Sequence, residues 1–170
     1  MRMEMKIRPA QPSDAPEISQ IHAASWKVAY RGMVSQKYLD ELRDDFWTEK
    51  FIRWLGQGTL RAKMLFAKET PAGCTAYGKS RDEKHPDWAE IVSIYLRPEV
   101  YRKGYGTVLL QAALKDLKAQ GYSTCSLWVL RENSNARRFY EKNGFTLTQD
   151  TCHSEVMEQE LTDIRYIIAL

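Results

Sequence analysis

Apolar residues recur at helical spacing in two stretches of the N-terminal third of the chain. The first stretch has a face made of Ile18, Ile21, Ser25 and Val28. Asp14 followed by Glu17 has the pattern of a capping box, and Gly32 is a stop signal, so a helix is predicted between them. A second helix is predicted over 36–55, with a break near 43–45. Its apolar face consists of Trp47, Phe51, Trp54 and Leu55.

Short apolar runs bounded by turn residues predict strands before, between and after the helices. They cover 6–9, 64–68, 75–80, 88–97, 123–130, 145–149 and 164–169. A turn at 70–73 is predicted to join the second and third strands into a hairpin. Two more helices are predicted, at 106–120 before Gly121 and at 134–143 before Gly144. This alternation predicts a mixed sheet with helices packed on it.

The composition is that of an ordinary soluble domain. Of the 170 residues, 44% are hydrophobic and 28% are charged, which argues against a disordered chain and against a membrane protein. The length suits one domain, 1–170, because a second core would have no room. No apolar run approaches the roughly 20 residues of a spanning helix. Because 1–10 also lacks the apolar centre of a signal peptide, a cytoplasmic protein is expected.

Charge and cysteine spacing narrow the function further. The net charge of +3 is small and evenly spread, which argues against nucleic acid as a partner. The three cysteines have no C-x-x-C spacing and no histidine at metal-ligand intervals, so reduced buried thiols and no metal site are expected. The three histidines are isolated along the chain, and each is expected to be a core or surface residue rather than a catalyst.

The segment 101–107, with the sequence YRKGYGT, lies between a predicted strand and a predicted helix. Backbone N–H groups at a helix N-terminus bind anions, and glycines at 104 and 106 let a pyrophosphate approach the backbone closely. Arg102 and Lys103 add positive charge. A dinucleotide fingerprint is excluded because Leu109 stands where the third glycine is required. A P-loop is excluded because the Gly-Lys-Ser/Thr ending is missing.

Three segments together resemble the GCN5-related N-acetyltransferase (GNAT) family: 89–98 (AEIVSIYLRP), 102–106 (RKGYG) and 133–145 (NSNARRFYEKNGF). Residues 7–10 and 25–32 extend the likeness. It implies a single α/β (α+β) domain with a mixed, mostly antiparallel sheet of six to seven strands, flanked by about four helices. In such a domain 88–145 bind acetyl-CoA and 1–60 supply the acceptor-side helices. The likeness departs at Tyr101, where the family has Gln or Arg, so either Arg102 contacts the pyrophosphate instead or affinity is reduced.

The resemblance also implies how acetyl-CoA, the co-substrate, is held. Its pantetheine arm pairs with the backbone of the fourth strand at Ile94, Tyr95 and Leu96. The expected contacts of the pyrophosphate are Arg102, Lys103, Gly104, Tyr105, Gly106 and Thr107. Asn133 is expected to contact the arm, although helix capping alone also explains an asparagine at that position.

Catalysis requires removal of a proton from an ammonium group and return of a proton to the departing thiolate. Glu90 is the candidate base, since it stands fourteen positions before Gly104, as in histone-acetylating members of the family. A carboxylate without a catalytic role and a relayed water are the alternatives. Tyr140 is the candidate acid, because the family uses the tyrosine of this stretch in that role; packing alone is the alternative. Members that acetylate ribosomal-protein N-termini have a glutamate where this chain has Trp128.

The acceptor pocket of the family corresponds here to Trp26, Tyr30 and Tyr38, whose rings either enclose a cationic amine or pack between helices. The expected function is direct transfer of acetyl from acetyl-CoA to a primary amine of a small molecule, by a monomer or homodimer. The alternative within the enzyme class is a protein N-terminal or lysine acetyltransferase acting on a peptide amine. The alternative outside it is a catalytically silent acyl-CoA-binding sensor, against which the presence of Glu90 and Tyr140 argues.

Overall fold

The computed structural model describes residues 4–170, which form seven strands and five α-helices. The strands are β1 Met5–Pro9, β2 Arg61–Ala67, β3 Thr70–Lys79, β4 Ala89–Leu96, β5 Thr124–Leu130, β6 Thr146–Val156 and β7 Gln159–Ala169. The helices are α1 Ala15–Ala29, α2 Gln36–Glu41, α3 Thr48–Gln57, α4 Tyr105–Ala119 and α5 Ser134–Lys142. Within residues 4–170, no helix has the length and apolar character needed to cross a membrane.

All of these strands belong to one sheet, in the order β1-β2-β3-β4-β5-β7-β6. β4 and β5 are parallel, and the other neighbouring pairs are antiparallel. The mixed, mostly antiparallel sheet expected from the sequence is therefore confirmed. The described part of the chain has five α-helices rather than four, because residues 42–47 separate α2 from α3 close to the predicted break.

The two faces of the sheet bury different helices. One face packs against α1 and α3 through Ile18, Ile21, Phe51, Met64 and Ala76. The opposite face packs against α4 through Tyr77, Ile91, Leu110, Leu117, Leu127 and Tyr166. Alternation along a strand explains the division, since Met64 faces the first layer and its neighbour Leu65 faces α4. Burial of each large apolar side chain contributes about 1.5–3 kcal/mol, so both layers hold the central strands in place.

The predicted capping box at the start of α1 is wrong. The carboxylate of Asp14 accepts two hydrogen bonds of 2.8 Å from Arg8 and one of 2.7 Å from the backbone N–H of Gln11. Glu17 forms an ion pair with Arg97, which follows β4. The two acids thus fasten the start of α1 to β1 and to the end of β4 instead of capping the helix.

The two hairpins also differ from the prediction. Lys68 and Glu69 join β2 to β3, with Lys68 left-handed at φ 56°, so Pro71 lies inside β3 rather than in a turn. β6 and β7 meet at a tight turn of Met157 and Glu158, whose φ values are 49° and 67°. The sequence did not predict the length of these strands because nearly every residue of β6 is exposed. An exposed strand has no apolar alternation to detect.

Candidate active site

A cleft opens where the parallel strands β4 and β5 come apart. They pair at two positions, Ala89 with Cys125 and Glu90 with Ser126, and then diverge. A bulge at Val92 shifts the register of β4 against β3 by one residue and bends the strand. The cleft has a volume of 610 Å³ and is lined by parts of β4, β5, α1, α5 and the segment before α4. Strands separated in this way leave backbone groups available to pair with an extended ligand.

The segment between β4 and α4 turns sharply beside the cleft. Arg102 and Gly104 are both left-handed, at φ 62° and 82°, just before α4 begins. N–H groups in the first turn of a helix have no acceptor within the helix and favour an anion. Arg102 lines the cleft, and a Cβ atom on Gly106 would lie 3.3 Å from the ring of Phe139. These features fit the predicted pyrophosphate site, because a side chain at Gly106 would fill the gap between α4 and α5.

The other residues predicted to hold the co-substrate fall into two groups. The first group lines the cleft and consists of Ile94, Tyr95, Leu96 and Asn133. Asn133 also caps α5, since its side-chain oxygen accepts a 3.2 Å hydrogen bond from the N–H of Ala136. The second group belongs to the loop and first turn of α4 without lining the cleft: Lys103, Gly104, Tyr105 and Thr107. The ring of Tyr105 is buried beside Leu109, which makes it part of the core.

Four tyrosines line the cleft, and three of them lie close together: Tyr30, Tyr95 and Tyr140. The hydroxyls of Tyr30 and Tyr95 are hydrogen-bonded at 3.1 Å, and Tyr140 lies near enough to interact electrostatically with both. Burial raises the pKa of all three phenols, so each is protonated at neutral pH. Tyr140 therefore has a pKa above the ordinary value near 10 assumed from the sequence, and its phenol keeps its proton throughout the neutral range.

The predicted acceptor aromatics do not all reach the cleft. Tyr30 lines it, whereas Trp26 and Tyr38 pack with Leu39 and Leu161 in an apolar cluster at its edge. The ring centroids of Trp26 and Tyr30 are 4.7 Å apart, and those of Trp26 and Tyr38 are 6.3 Å apart. Trp26 thus supports the ring of Tyr30, and contact of Trp26 or Tyr38 with a substrate stays a prediction.

Glu90, the candidate base, lies outside the cleft where β4 and β5 are still paired. Its side chain is 4% exposed and forms an ion pair of 2.5 Å with Nη2 of Arg81. Nε of Arg81 donates to both carboxylate oxygens at 3.2 and 3.3 Å, and the backbone N–H of Arg81 donates at 3.1 Å. Both carboxylate oxygens of Glu90 are therefore engaged by Arg81. The structure thus brings Glu90 together with Arg81 and not with the cleft residues.

Two polar groups in the cleft wall were not singled out from the sequence. Asp163 of β7 lines the cleft beside β5, and Ser93 lines it at the bulge of β4. Nδ1 of His22 donates to the carbonyl of Ile18 at 2.9 Å, so Nε2, 3.1 Å from Ser93 Oγ, accepts the hydroxyl proton. Burial lowers the pKa of His22 to about 4, which keeps the ring neutral. No local pattern marks Asp163, because its place depends on the pairing of β7 with β5.

Comparison with known families identifies this arrangement. The model of the acetyltransferase (GNAT) family matches residues 18–145, which contain β4, the loop, α4, β5 and α5. The chain belongs to the GNAT family. The match covers the three segments 89–98, 102–106 and 133–145 and most of the walls of the cleft, and the fold agrees with the family.

Individual GNAT relatives indicate the reaction and the co-substrate. Spermidine N(1)-acetyltransferase of Thermoplasma acidophilum is 31% identical over 160 residues, which are 93% of this chain and 98% of the relative. The crystal structure of PaiA N-acetyltransferase from Thermoplasma acidophilum in complex with coenzyme A has a TM-score of 0.81 at 26% identity, and the match covers 99% of this chain and 100% of that one. The chain is thus an acetyl-CoA-dependent N-acetyltransferase of the GNAT type.

The GNAT fold alone does not select the acceptor. Ribosomal-protein-alanine N-acetyltransferase of Brucella melitensis has a TM-score of 0.77 at 15% identity, with 97% of this chain and 99% of that chain covered. At this identity the likeness shows a shared fold and nothing about the substrate. The acceptor has to be argued from the walls of the cleft.

Proposed function

We propose that this enzyme transfers acetyl directly from acetyl-CoA to a primary amine of a small molecule. The observation that carries the proposal is the contact that the β6–β7 hairpin makes beside the cleft. Gln159 of the hairpin donates a 2.8 Å hydrogen bond to the carbonyl of Met33, between α1 and α2. Val156 and Leu161 add apolar contacts to the same region. An internal lysine of a polypeptide needs an open groove on both sides of the reacting residue, and this contact restricts one side.

The relatives and the cleft wall support a small acceptor. The Thermoplasma relative, named for the acetylation of spermidine, matches this chain over nearly its full length. Trp128 lines the cleft on β5, at the position where family members that modify ribosomal-protein N-termini have a glutamate. Its indole, which lies against the guanidinium of Arg165 at 5.0 Å from the ring centroid, is a hydrogen-bond donor only, so Trp128 cannot replace that carboxylate as a base.

The nucleophiles of the chain favour attack by the amine itself. Within residues 4–170, no cysteine lines the cleft, and burial raises the pKa of Cys125 to about 12. Ser93 lines the cleft with His22 behind it, but a histidine whose pKa is about 4 is too weak a base to activate a serine. An acetyl-enzyme intermediate is therefore not part of the proposal.

The described residues divide the remaining tasks between them. Arg102 and the first turn of α4 suit the pyrophosphate, and the backbone of 94–96 suits the pantetheine arm. Tyr140 lines the cleft with its proton retained, so it suits the role of donor to the departing thiolate. These roles extend the implied mechanism of the family to side chains whose positions in the cleft are compatible with it.

An acceptor screen tests the proposal. The wild-type enzyme is incubated with acetyl-CoA and, separately, butylamine, 1,4-diaminobutane, spermidine, a lysine-containing peptide with a blocked N-terminus and a peptide with a free N-terminus. Free thiol gives the rate, and mass spectrometry locates the acetyl group. We expect kcat/KM to be at least tenfold higher for a small amine than for either peptide. Faster acetylation of a peptide would contradict the proposal, as would binding of acetyl-CoA without turnover of any amine.

A further inference from the structure

Asp163 lies on the acceptor face of the sheet. It pairs in register with Leu130, the last residue of β5, beyond the point where β5 leaves β4. Leu161, two residues earlier on the same strand, packs with Tyr30 and the residues of α2. Residues two apart on a strand share a face, so Asp163 faces the side of α1 and α2, and it lines the cleft. The electrostatic interaction between Asp163 and Tyr30 is consistent with this placement.

The carboxylate of Asp163 has no cationic partner in the described chain. No hydrogen bond or ion pair within residues 4–170 involves its side chain, although it is only partly exposed. The other partly or fully buried acids of the described residues are all engaged: Asp14 with Arg8, Glu17 with Arg97, Asp82 with Arg165, Glu90 with Arg81 and Asp116 with Tyr77. Burial raises the pKa of Asp163, and the negative charge of Glu132 adds to this effect. A carboxylate in this position is compensated best by a cation from outside the chain.

The two walls of the cleft have side chains of opposite charge. Among the described residues that line it, Arg102 and Asp163 are the ones with an ionised side chain. Arg102 follows β4 at the start of α4, where an anion is favoured, and Asp163 lies beside β5 on the opposite wall. One wall therefore suits the phosphates of a nucleotide carrier, and the other suits an ammonium group.

We propose that Asp163 binds the ammonium group of the acceptor and takes up its first proton. The inference rests on the proposed function, whose base it names. The ammonium gives one proton to the carboxylate, and the freed nitrogen lone pair forms the N–C bond at the thioester carbonyl. The C–S bond then breaks with its electron pair on sulfur, and Tyr140 protonates the thiolate. The nitrogen loses its second proton, which restores the phenol, and Asp163 releases the first proton to solvent.

Glu132 adds a second negative charge near the proposed ammonium site. It lies in the connection between β5 and α5, close enough to Asp163 to raise the pKa of that carboxyl. Together the two acids create a negative potential at the acceptor side of a protein whose net charge is +3. Such a potential favours an amine with a second positive charge over a monoamine of similar length.

The test compares Asp163→Asn with Glu160→Gln, a control on the same strand whose carboxylate is 80% exposed. Rates with spermidine are measured from pH 6.5 to 10 at saturating acetyl-CoA. At pH 7 we expect kcat/KM of Asp163→Asn to fall by about 10²–10³-fold, the lower part of the range for loss of a general base. The loss should shrink as pH rises, because free amine becomes available without a base. Asp163→Glu should restore part of the rate, while Glu160→Gln should behave like wild type.

Binding is measured separately so that the two proposals fail in different ways. Calorimetry of spermidine with the enzyme–CoA complex is expected to show at least tenfold weaker binding by Asp163→Asn, with unchanged affinity for CoA. If wild type acetylates amines and Asp163→Asn keeps its rate, pH profile and spermidine affinity, the role of Asp163 is overturned. If wild type acetylates no amine, the proposed function fails, and the binding data alone then support or overturn the ammonium site.

Discussion

Glu90 and Asp163 are acidic residues at the two ends of the junction between β4 and β5. Glu90 lies where the strands are paired, and its carboxylate accepts hydrogen bonds from the side chain and backbone of Arg81. Asp163 lies where the strands have separated, and no cation of the described chain compensates its charge. Both are acids in the same sheet, yet one is engaged within the fold and the other faces the cleft.

The paired end is closed by further ion pairs. Arg165 is 4% exposed and lies between the rings of Trp88 and Trp128, 5.3 and 5.0 Å from their centroids. It forms ion pairs of 2.6 Å with Asp82 and with Asp150, so the loop before β4 is fastened to β6 and β7. At this end charges are satisfied within the chain and support the structure. At the open end they are left for ligands, which is how one sheet provides both a rigid frame and a reactive site.

Apart from Asp163, the largest effect at the open end is expected for Tyr140. Tyr140→Phe should lower kcat by about 100-fold, because one general acid is removed, while the affinity for CoA stays the same. Tyr122→Phe is the matched control, since Tyr122 packs on the same apolar cluster without lining the cleft. Steady-state kinetics with spermidine and thermal shift with CoA provide the measurements. A kcat within twofold of wild type would show that Tyr140 only packs between α5 and the sheet.

The next effect concerns His22, behind the bulge where the strands begin to separate. Its folded pKa of about 4 is below the ordinary 6.5, so the fold favours the neutral ring. This contribution to the free energy of unfolding is complete above about pH 6.5 and is lost as pH falls toward 4. The loss amounts to about 2.5 kcal/mol at pH 4.5. Urea unfolding at pH 7.5 and pH 4.5 should therefore show a smaller loss of stability for His22→Gln than for wild type. The exposed His153, replaced by Gln, is the control, and an equal loss in all three proteins would contradict the assignment.

Local signals made the cofactor side predictable from the sequence. The strand, glycine loop and helix over 89–119 follow one another along the chain, so their caps, glycines and apolar periods can be interpreted without knowing the rest of the fold. The left-handed Gly104 and the capping Asn133 are positions of this kind. The mixed sheet followed from the same local order, and the resemblance to the family supplied its antiparallel majority.

The acceptor side depends on pairings between distant segments, and these are not visible in a local pattern. β6 is exposed along nearly all its length, so neither its extent nor its turn into β7 was predicted. Asp163 enters the cleft only because β7 inserts between β5 and β6 in the sheet. Glu90 was chosen by its spacing from Gly104, but its environment is set by Arg81 in the preceding loop, which spacing does not reveal.

Glu90→Gln should change stability and leave catalysis alone. Loss of the charge weakens the hydrogen bonds with Arg81 and should lower the free energy of unfolding by about 2 kcal/mol, as measured by urea denaturation at pH 7. Asp163→Asn should show the reverse, with stability equal to wild type or higher, because burial raises the pKa of Asp163 and disfavours its charged form. If Glu90→Gln instead loses rate at neutral pH and recovers it at high pH, Glu90 is the base and the contrast between the two acids fails.

The smallest effect is expected at Tyr101, where this chain departs from the Gln or Arg of the family. Its hydroxyl is 2.9 Å from Ser25 Oγ, which joins the loop before α4 to α1, and both residues line the cleft. A single hydrogen bond of this kind contributes about 1 kcal/mol, so Tyr101→Phe should raise the KM for acetyl-CoA by about fivefold with little change in kcat. Ser25→Ala removes the same bond from the other side. The double variant should therefore be no worse than either single one, and additive effects would mean that the two residues act separately and that the bond does not position the loop.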